Sequence, residues 1–164
     1  MRVIFLDIDG VLNSTFWNEE NQKELSDGKL VDETKVKLLA EIVKKTNAMI
    51  VLHSGWRFWF DDLLNPIRDE AKYFVSILEH NGLKVYDKTP DLTTEEIRRT
   101  KKFSLVKAQE ILMWIGQHKD IETYIMIDDL DLNNDVIQKS LIRTDSTNGL
   151  SEENVLDAIE CLNQ

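Results

Sequence analysis

The chain has 164 residues, 42% hydrophobic and 30% charged, which suffices for one globular domain with its own core. Gly and Pro are scarce, with six and two copies, so collagen-like, linker-rich and low-complexity sequences are excluded. The formal net charge of -10 repels polyanions and argues against general nucleic-acid binding, although a local basic cluster could still grip a nucleic-acid end.

Strands and helices are predicted to alternate from the start of the chain. Residues 3–6 are continuously apolar, as is typical of a central parallel strand that is covered on both faces. The elements that follow in the first half are a polar excursion at 14–31 with one short helix or hairpin, a helix capped by Asp32, a strand at 48–52, a helix at 61–79 interrupted near Pro66, and a short strand at 83–86.

The second half continues the same alternation. Its predicted elements are a polar loop at 87–103, a helix capped by Ser104 that runs to about Gly116, a strand at 123–127, a weak strand at 140–143, and a closing helix at 151–162. This order predicts a three-layer α/β/α, Rossmann-like domain with a central parallel sheet. We expect a single domain over 1–164, with at most a minimal cap or flap at 14–31.

The N-terminal apolar run is too short for the core of a signal peptide, and no stretch approaches the ~20 apolar residues that span a bilayer. The single cysteine, Cys161, can form neither an internal disulfide nor a thiolate metal cage. We therefore expect a cytoplasmic protein without a membrane partner.

Polar residues follow three of the predicted strands. Asp7 and Asp9 follow the first, Ser54 the second, and Asp128 with Asp129 the strand at 123–127. In open parallel sheets this carboxyl edge is where ligands bind. A cluster of carboxylates suits a hard cation, and Mg²⁺ is the natural choice.

Each of these signals has a plainer interpretation when taken alone. The Asp7 to Gly10 segment could be a solvated turn, Ser54-Gly55 a helix cap, and Lys107 a solvated helix lysine. The agreement between three strand ends favours a functional site. The three histidines lack metal-ligand spacing.

The segment 7–13, DIDGVLN, resembles the first motif of the haloacid dehalogenase-like (HAD) phosphatase superfamily. Ser54 resembles the second motif, Lys107 falls in the interval of the third, and Asp128-Asp129 resembles the fourth. The segments 54–57, SGWR, and 107–111, KAQEI, are similar to small HAD domains of RNA-repair proteins.

The resemblance implies a mechanism. Asp7 would attack phosphorus to form an aspartyl-phosphate, and Asp9 would act as general acid and then base. Ser54 and Lys107 would bind the phosphoryl oxygens, and Lys101 and Lys102 stay open as alternatives to Lys107. The implied Mg²⁺ ligands are Asp7, the main-chain carbonyl of Asp9, and Asp128, while Asp129 and Asp131 could orient metal-bound water or equally be solvated acids.

The expected substrate contacts are Gly10, Asn13, Ser54, Gly55 and Arg57, where Arg57 could equally be a surface arginine in an ion pair. Tryptophans 17, 56 and 59 could stack on a ring, but core packing is the favoured interpretation. The basic run 98–102 could grip a polyanion, although a solvated loop is preferred.

The chain leaves no room for a large cap, so we expect an open site for a phosphomonoester, and a nucleotide or a nucleic-acid end is among the candidate substrates. Two alternatives stay open, a phospho-acceptor signalling domain and a catalytically silent phosphate- or metal-binding domain. The substrate's identity and the oligomeric state are not indicated.

Overall fold

The central element of the computed structural model, which describes residues 1–21 and 30–164, is one five-stranded sheet. The strands are β1 (Arg2–Leu6), β2 (Met49–Leu52), β3 (Val85–Lys88), β4 (Thr123–Asp128) and β5 (Leu141–Arg143), and their order in the sheet is β3-β2-β1-β4-β5. All four pairings are parallel, which confirms the predicted parallel sheet.

Helices cover both faces of this sheet. The described α-helices are α1 (Thr15–Glu20), α2 (Glu33–Thr46), α3 (Asp69–His80), α4 (Glu95–Thr100), α5 (Ser104–Gln117) and α6 (Glu152–Leu162), and short 3₁₀ helices occupy Gly55–Trp59 and Gln138–Ser140. The buried sides of α2, α3 and α6 share one apolar cluster with one face of the sheet, whereas α5 packs on the other face. The predicted three-layer α/β/α architecture is therefore confirmed.

Strand β1 shows why the sheet needs cover on both sides. Ile4 and Leu6 are fully buried in the cluster with α2, α3 and α6, whereas Val3 and Phe5 are buried in the cluster with α5. Successive side chains of a strand point to opposite faces, so a continuously apolar strand is stable only between two layers. Asp7, the first residue beyond β1, is thereby carried to the carboxyl edge of the sheet.

Two predicted helix starts are confirmed by their caps. The Asp32 carboxylate accepts a hydrogen bond from the backbone N–H of Thr34 and so caps α2. Ser151 and Asn154 form a capping box at the start of α6.

The predicted helix at 61–79 is wrong in its first part, because α3 begins only at Asp69. The Asp61 carboxylate accepts hydrogen bonds from the backbone N–H groups of Leu63 and Asn65, which closes a turn instead of a helix. Pro66 then forms a bridge with Phe60.

Three further boundaries differ from the prediction. The third strand lies at Val85–Lys88 rather than at 83–86, because the N–H of Leu83 still bonds to the end of α3 at Leu78. The stretch predicted as a loop contains α4, which has no buried residue and therefore no apolar periodicity to reveal it. Ser104 is the first residue of α5, and Phe103 occupies the cap position.

The predicted minimal cap at 14–31 falls only partly on described residues. Its first part contains α1, whose N-cap Ser14 accepts a hydrogen bond from the backbone N–H of Trp17. Residues 22–29 lie outside the description, so the prediction of a cap stays untested. Among the described helices, none has the length and apolar character needed to cross a membrane.

The core predicts the effect of one truncation. Phe74 of α3 is fully buried and packs edge-to-face on Trp56 at 5.6 Å between ring centroids. We expect Phe74→Ala to lower the free energy of unfolding by about 3–5 kcal/mol in urea denaturation. Phe16→Ala is the matched control, because Phe16 is 56% exposed, and it should change stability by less than about 0.5 kcal/mol. Equal effects would contradict the packing described here.

Candidate active site

The strand ends predicted to carry chemistry meet at one cavity of about 400 Å³. Asp7 and Asp9 lie beyond β1, Ser54 beyond β2, and Asp129 beyond β4, as expected from the parallel pairing of these strands. The remaining lining residues are Gly55, Arg57, Phe58, Thr93, Phe103, Val106, Lys107, Glu110 and Leu130. The carboxyl edge of the sheet is thus the floor of this cavity.

Lys107 lies among the acids at the bottom of the cavity. Its Nζ is 2.7 Å from Asp128 Oδ2 and 3.5 Å from Asp7 Oδ2. One carboxylate oxygen from each of Asp7, Asp128 and Asp129 lies within 4.8 Å of the others. One ammonium group therefore faces three carboxyl groups. When these groups are ionised, the site carries a surplus of negative charge that a bound cation would offset.

Burial and the surplus of acid shift the pKa values of the group. Burial raises the pKa of Asp7 well above its ordinary value, and the carboxylates of Asp128 and Asp129 add to this, although Lys107 opposes it. Burial followed by repulsion from Asp128 also raises the pKa of Asp129. Burial alone would lower the pKa of Lys107, but Asp7 and Asp128 outweigh it and raise that pKa.

This donor set fits a hard divalent cation. The three acids offer only oxygen ligands, and Mg²⁺ prefers such ligands. A cation of charge two would also relieve the repulsion that raises the pKa of Asp7.

The Asp9 carboxylate is separate from the three-acid group and is held by two donors. Asn13 Nδ2 donates to Asp9 Oδ1 at 2.9 Å, and Trp56 Nε1 donates to Asp9 Oδ2 at 3.2 Å. Ile8, between the two acids, is fully buried in the core, so Asp7 and Asp9 share the cavity side as the strand alternation predicts.

Gly10 is needed where the chain turns beyond these acids. Its φ is +81°, and a Cβ at this position would lie 2.5 Å from Asp129 Oδ2. Its carbonyl accepts a hydrogen bond from Thr144 Oγ1, and its N–H donates to Asn13 Oδ1. These hydrogen bonds fix the turn that follows the two acids. Gly10 and Asn13 are not among the cavity-lining residues, so their contact with a substrate stays a prediction.

Ser54 and Gly55 lie where the second motif is expected. Ser54 caps the 3₁₀ helix Gly55–Trp59, with its hydroxyl accepting from the N–H of Trp56, and both residues line the cavity. His53 points into the interior, where Nδ1 lies 2.8 Å from Thr89 Oγ1. Burial, followed by the charges of Lys107 and Arg57, holds the pKa of His53 well below its ordinary value.

Arg57 is neither a surface residue nor a free cation. It is buried, and its NH2 group lies 2.7 Å from Glu110 Oε2 while NH1 donates to the carbonyl of Ser54. Glu110 Oε2 also accepts from the backbone N–H of Leu92, which ties the approach to α4 to this pair. Arg57 lines the cavity, so its position is compatible with the predicted contact to a substrate phosphate, which stays a prediction. The ion pair with Glu110 holds its guanidinium in place.

The aromatic residues at the cavity differ from those the sequence suggested. Trp56 is buried in the core, 4.8 Å from Trp59 between ring centroids, which agrees with the core-packing interpretation. The rings that line the cavity are Phe58 and Phe103, which sequence reasoning missed. Glu110 was also missed, although its position one helical turn beyond Lys107 indicates a shared face.

The fold and the strand-end acids define a HAD-like domain. Within that superfamily, the chain belongs to the family described as the HAD domain in Swiss Army Knife RNA repair proteins, whose sequence profile matches residues 3–155. Comparisons with curated proteins and with solved structures give no match. Membership in this family supports a phosphatase-like function and agrees with the resemblance found in the motifs.

The raised pKa of Asp7 predicts how stability depends on pH in the absence of metal. A carboxyl group that binds its proton more tightly in the folded state destabilises the fold as pH rises from about 4, its value in unfolded chains, through its folded pKa. In a chelator, we expect Asp7→Asn to be more stable than the wild type at pH 7 and the difference to shrink towards pH 4.

Urea denaturation across this pH range measures the difference. Asp135→Asn, which removes an exposed carboxylate, should instead follow the wild type. If Asp7→Asn were less stable than the wild type at pH 7, the inferred rise in the pKa of Asp7 would be wrong.

Proposed function

We propose that this protein is a Mg²⁺-dependent phosphomonoester hydrolase that acts through an aspartyl-phosphate on Asp7. The observation that carries the proposal is the placement of Asp7 within 3.5 Å of the Lys107 ammonium, at the floor of a cavity that Asp9 also lines. The nucleophile, a proton donor and a cation therefore share one concave site.

In the first step, a carboxylate oxygen of Asp7 attacks phosphorus and the bond from phosphorus to the leaving oxygen breaks. Asp9 gives its proton to that leaving oxygen, and the alcohol departs. The hydrogen bonds from Asn13 and Trp56 fix the direction in which the Asp9 carboxyl group faces the cavity. Such fixed geometry lowers the cost of reaching the transition state.

In the second step, water attacks the phosphorus of the aspartyl-phosphate and passes a proton to Asp9. The bond between phosphorus and Asp7 breaks, so inorganic phosphate leaves and both acids return to their starting states. Lys107 and the hydroxyl of Ser54 stabilise the charge on the phosphoryl oxygens.

Asp7, Asp128 and Asp129 would hold the Mg²⁺ ion, with the main-chain carbonyl of Asp9 as the further predicted ligand. When bound, the ion would offset the repulsion between Asp7 and an incoming phosphate.

Exposed basic residues beside the cavity bear on the identity of the substrate. The chain is acidic overall, yet the basic residues of 98–102 are exposed and lie at the end of α4, immediately before the cavity residue Phe103. Together with the family's description, this supports a phosphate on a nucleotide or a nucleic-acid end as the substrate.

Hydrolysis of phenyl phosphate tests the proposal, because its poor leaving group needs a proton from Asp9. We expect phosphate release that requires Mg²⁺, stops with chelator, and falls by orders of magnitude in Asp7→Asn and in Asp9→Asn. Asp135→Asn should turn over like the wild type. Full activity in Asp7→Asn would overturn the assignment of the nucleophile. A long-lived phosphorylated wild-type protein after acetyl phosphate treatment would instead favour a phospho-acceptor domain.

Metal binding is tested without turnover. Bound Mg²⁺ at about a hundred times its dissociation constant should stabilise the fold by about 2.7 kcal/mol, and this appears as a rise in melting temperature. We expect Asp128→Asn to lose most of the rise and Asp135→Asn to keep it. A rise that survives in Asp128→Asn would show that the three-acid group does not hold the ion. A rise in the wild type without hydrolysis of any phosphomonoester would favour a catalytically silent binding domain.

A further inference from the structure

The cavity has a polar floor and an apolar rim. Asp7 and Ser54 are buried at its floor, and the Lys107 side chain beside them is only 12% exposed. The hydrophobic residues that line it nearer to solvent are Phe58, Phe103 and Leu130, which are 54%, 43% and 40% exposed. Exposed large apolar side chains beside a polar site favour a ligand that covers them.

We propose that Phe58 and Phe103 form a subsite that stacks the nucleobase of a nucleoside phosphate while the phosphate lies at Asp7 and Lys107. The proposal rests on the function proposed above and deepens it, because it assigns the specificity for the leaving group to two residues. The ligand is either a free nucleotide or the terminal nucleotide of a single strand.

The size of the cavity supports a ligand larger than a phosphate. About 400 Å³ lies within the range of pockets that enclose small organic ligands, which are mostly apolar with a few polar groups. With the phosphate bound by the floor, the group attached to it must pass the rim. The Phe58 and Phe103 rings line that exit, and aromatic side chains bind bases by stacking.

Phe58 is also held in position before any ligand binds. The Arg57 guanidinium carbon lies 4.5 Å from the centroid of its ring, and Arg57 is itself fixed by Glu110. A ring that is already oriented loses less freedom on binding. The buried Arg57–Glu110 pair therefore orients the rim as well as the loop beyond Ser54.

The charge near Phe103 suits a nucleoside phosphate. Two arginines end α4, and Lys101 and Lys102 are exposed directly before Phe103. In a chain of net charge -10, Arg99, Lys101 and Lys102 give a local excess of positive charge next to the rim, whereas Arg98 is paired with Asp91 at 3.5 Å. Such a region attracts the phosphodiester groups of a strand in a salt-dependent manner.

Stacking also predicts which substrates are distinguished. Every base has a flat face, so a stacking subsite separates nucleotides from sugar phosphates but discriminates little between bases. We expect similar affinities for adenosine and cytidine 5′-monophosphates and a weaker one for ribose 5-phosphate, which has the same phosphate ester without a base.

The test is calorimetric titration of the Asp7→Asn protein, which does not need turnover, with adenosine 5′-monophosphate and ribose 5-phosphate. Phe58→Ala and Phe103→Ala should each lower the preference for the nucleotide by roughly five- to a hundredfold. Phe58→Tyr should retain the preference, and Phe16→Ala, an exposed phenylalanine outside the cavity, is the matched control. Urea denaturation of each variant shows that the fold is intact.

The proposal is overturned if the starting protein binds both ligands equally, or if both alanine variants keep the preference. Its failure differs from failure of the proposed function. Phenyl phosphate hydrolysis by the wild type, without any preference for the nucleotide, would leave the hydrolase standing and remove the subsite. If the alanine variants abolish a preference for the nucleotide, but the wild type does not hydrolyse phenyl phosphate, the subsite is retained and the hydrolase is removed.

A phosphorylated single-stranded tetranucleotide distinguishes the two sources of the ligand. Tighter binding than the mononucleotide, weakened by added salt, assigns the subsite to strand ends. Equal affinities assign it to free nucleotides. Both results retain the stacking subsite.

Discussion

The ion pairs between Lys107 and the acids at the strand ends are the interaction on which the site depends. The neighbouring parallel strands β1 and β4 bring Asp7, Asp128 and Asp129 within a few ångströms, where ionised carboxyl groups repel. The Lys107 ammonium, 2.7 Å from Asp128 and 3.5 Å from Asp7, offsets part of this repulsion. The two-sided core keeps the strands paired in spite of the remaining charge, and burial together with that charge raises the pKa of Asp7.

Around this group, buried and partly buried hydrogen bonds hold the segments beyond the strand ends in place. Thr144 beyond β5 holds the carbonyl of Gly10, while Asn13 holds both the Gly10 N–H and the Asp9 carboxylate. Trp56 links Asp9 to the loop beyond β2. These bonds connect three strand ends, so the relative positions of nucleophile and proton donor follow from the fold itself. A preorganised site of this kind avoids rearrangement during the reaction.

The ion pair between Arg57 and Glu110 fixes the segments that surround the acids. It joins the 3₁₀ helix beyond β2 to α5, and through Leu92 to the segment before α4. Both charges are buried, so either alone would be costly in the interior. The pair therefore holds the walls of the cavity together, with Phe58 on one wall and Phe103 at the start of α5 on the other.

The sequence by itself determined the parallel sheet, the helix cap at Asp32, the closing helix and the acids at the strand ends, because buried strands, amphipathic helices and caps leave local patterns. It did not reveal α4, which buries no residue, or the turn at Asp61. Lys107 looked like a solvated helix lysine, and only a resemblance placed it in the site. The contacts of Lys107 with Asp128, Glu110 with Arg57 and Trp56 with Asp9 were decided by the tertiary structure, because these partners lie 21, 53 and 47 residues apart along the chain. Local spacing carries no information about pairs that meet only when the sheet and helices pack.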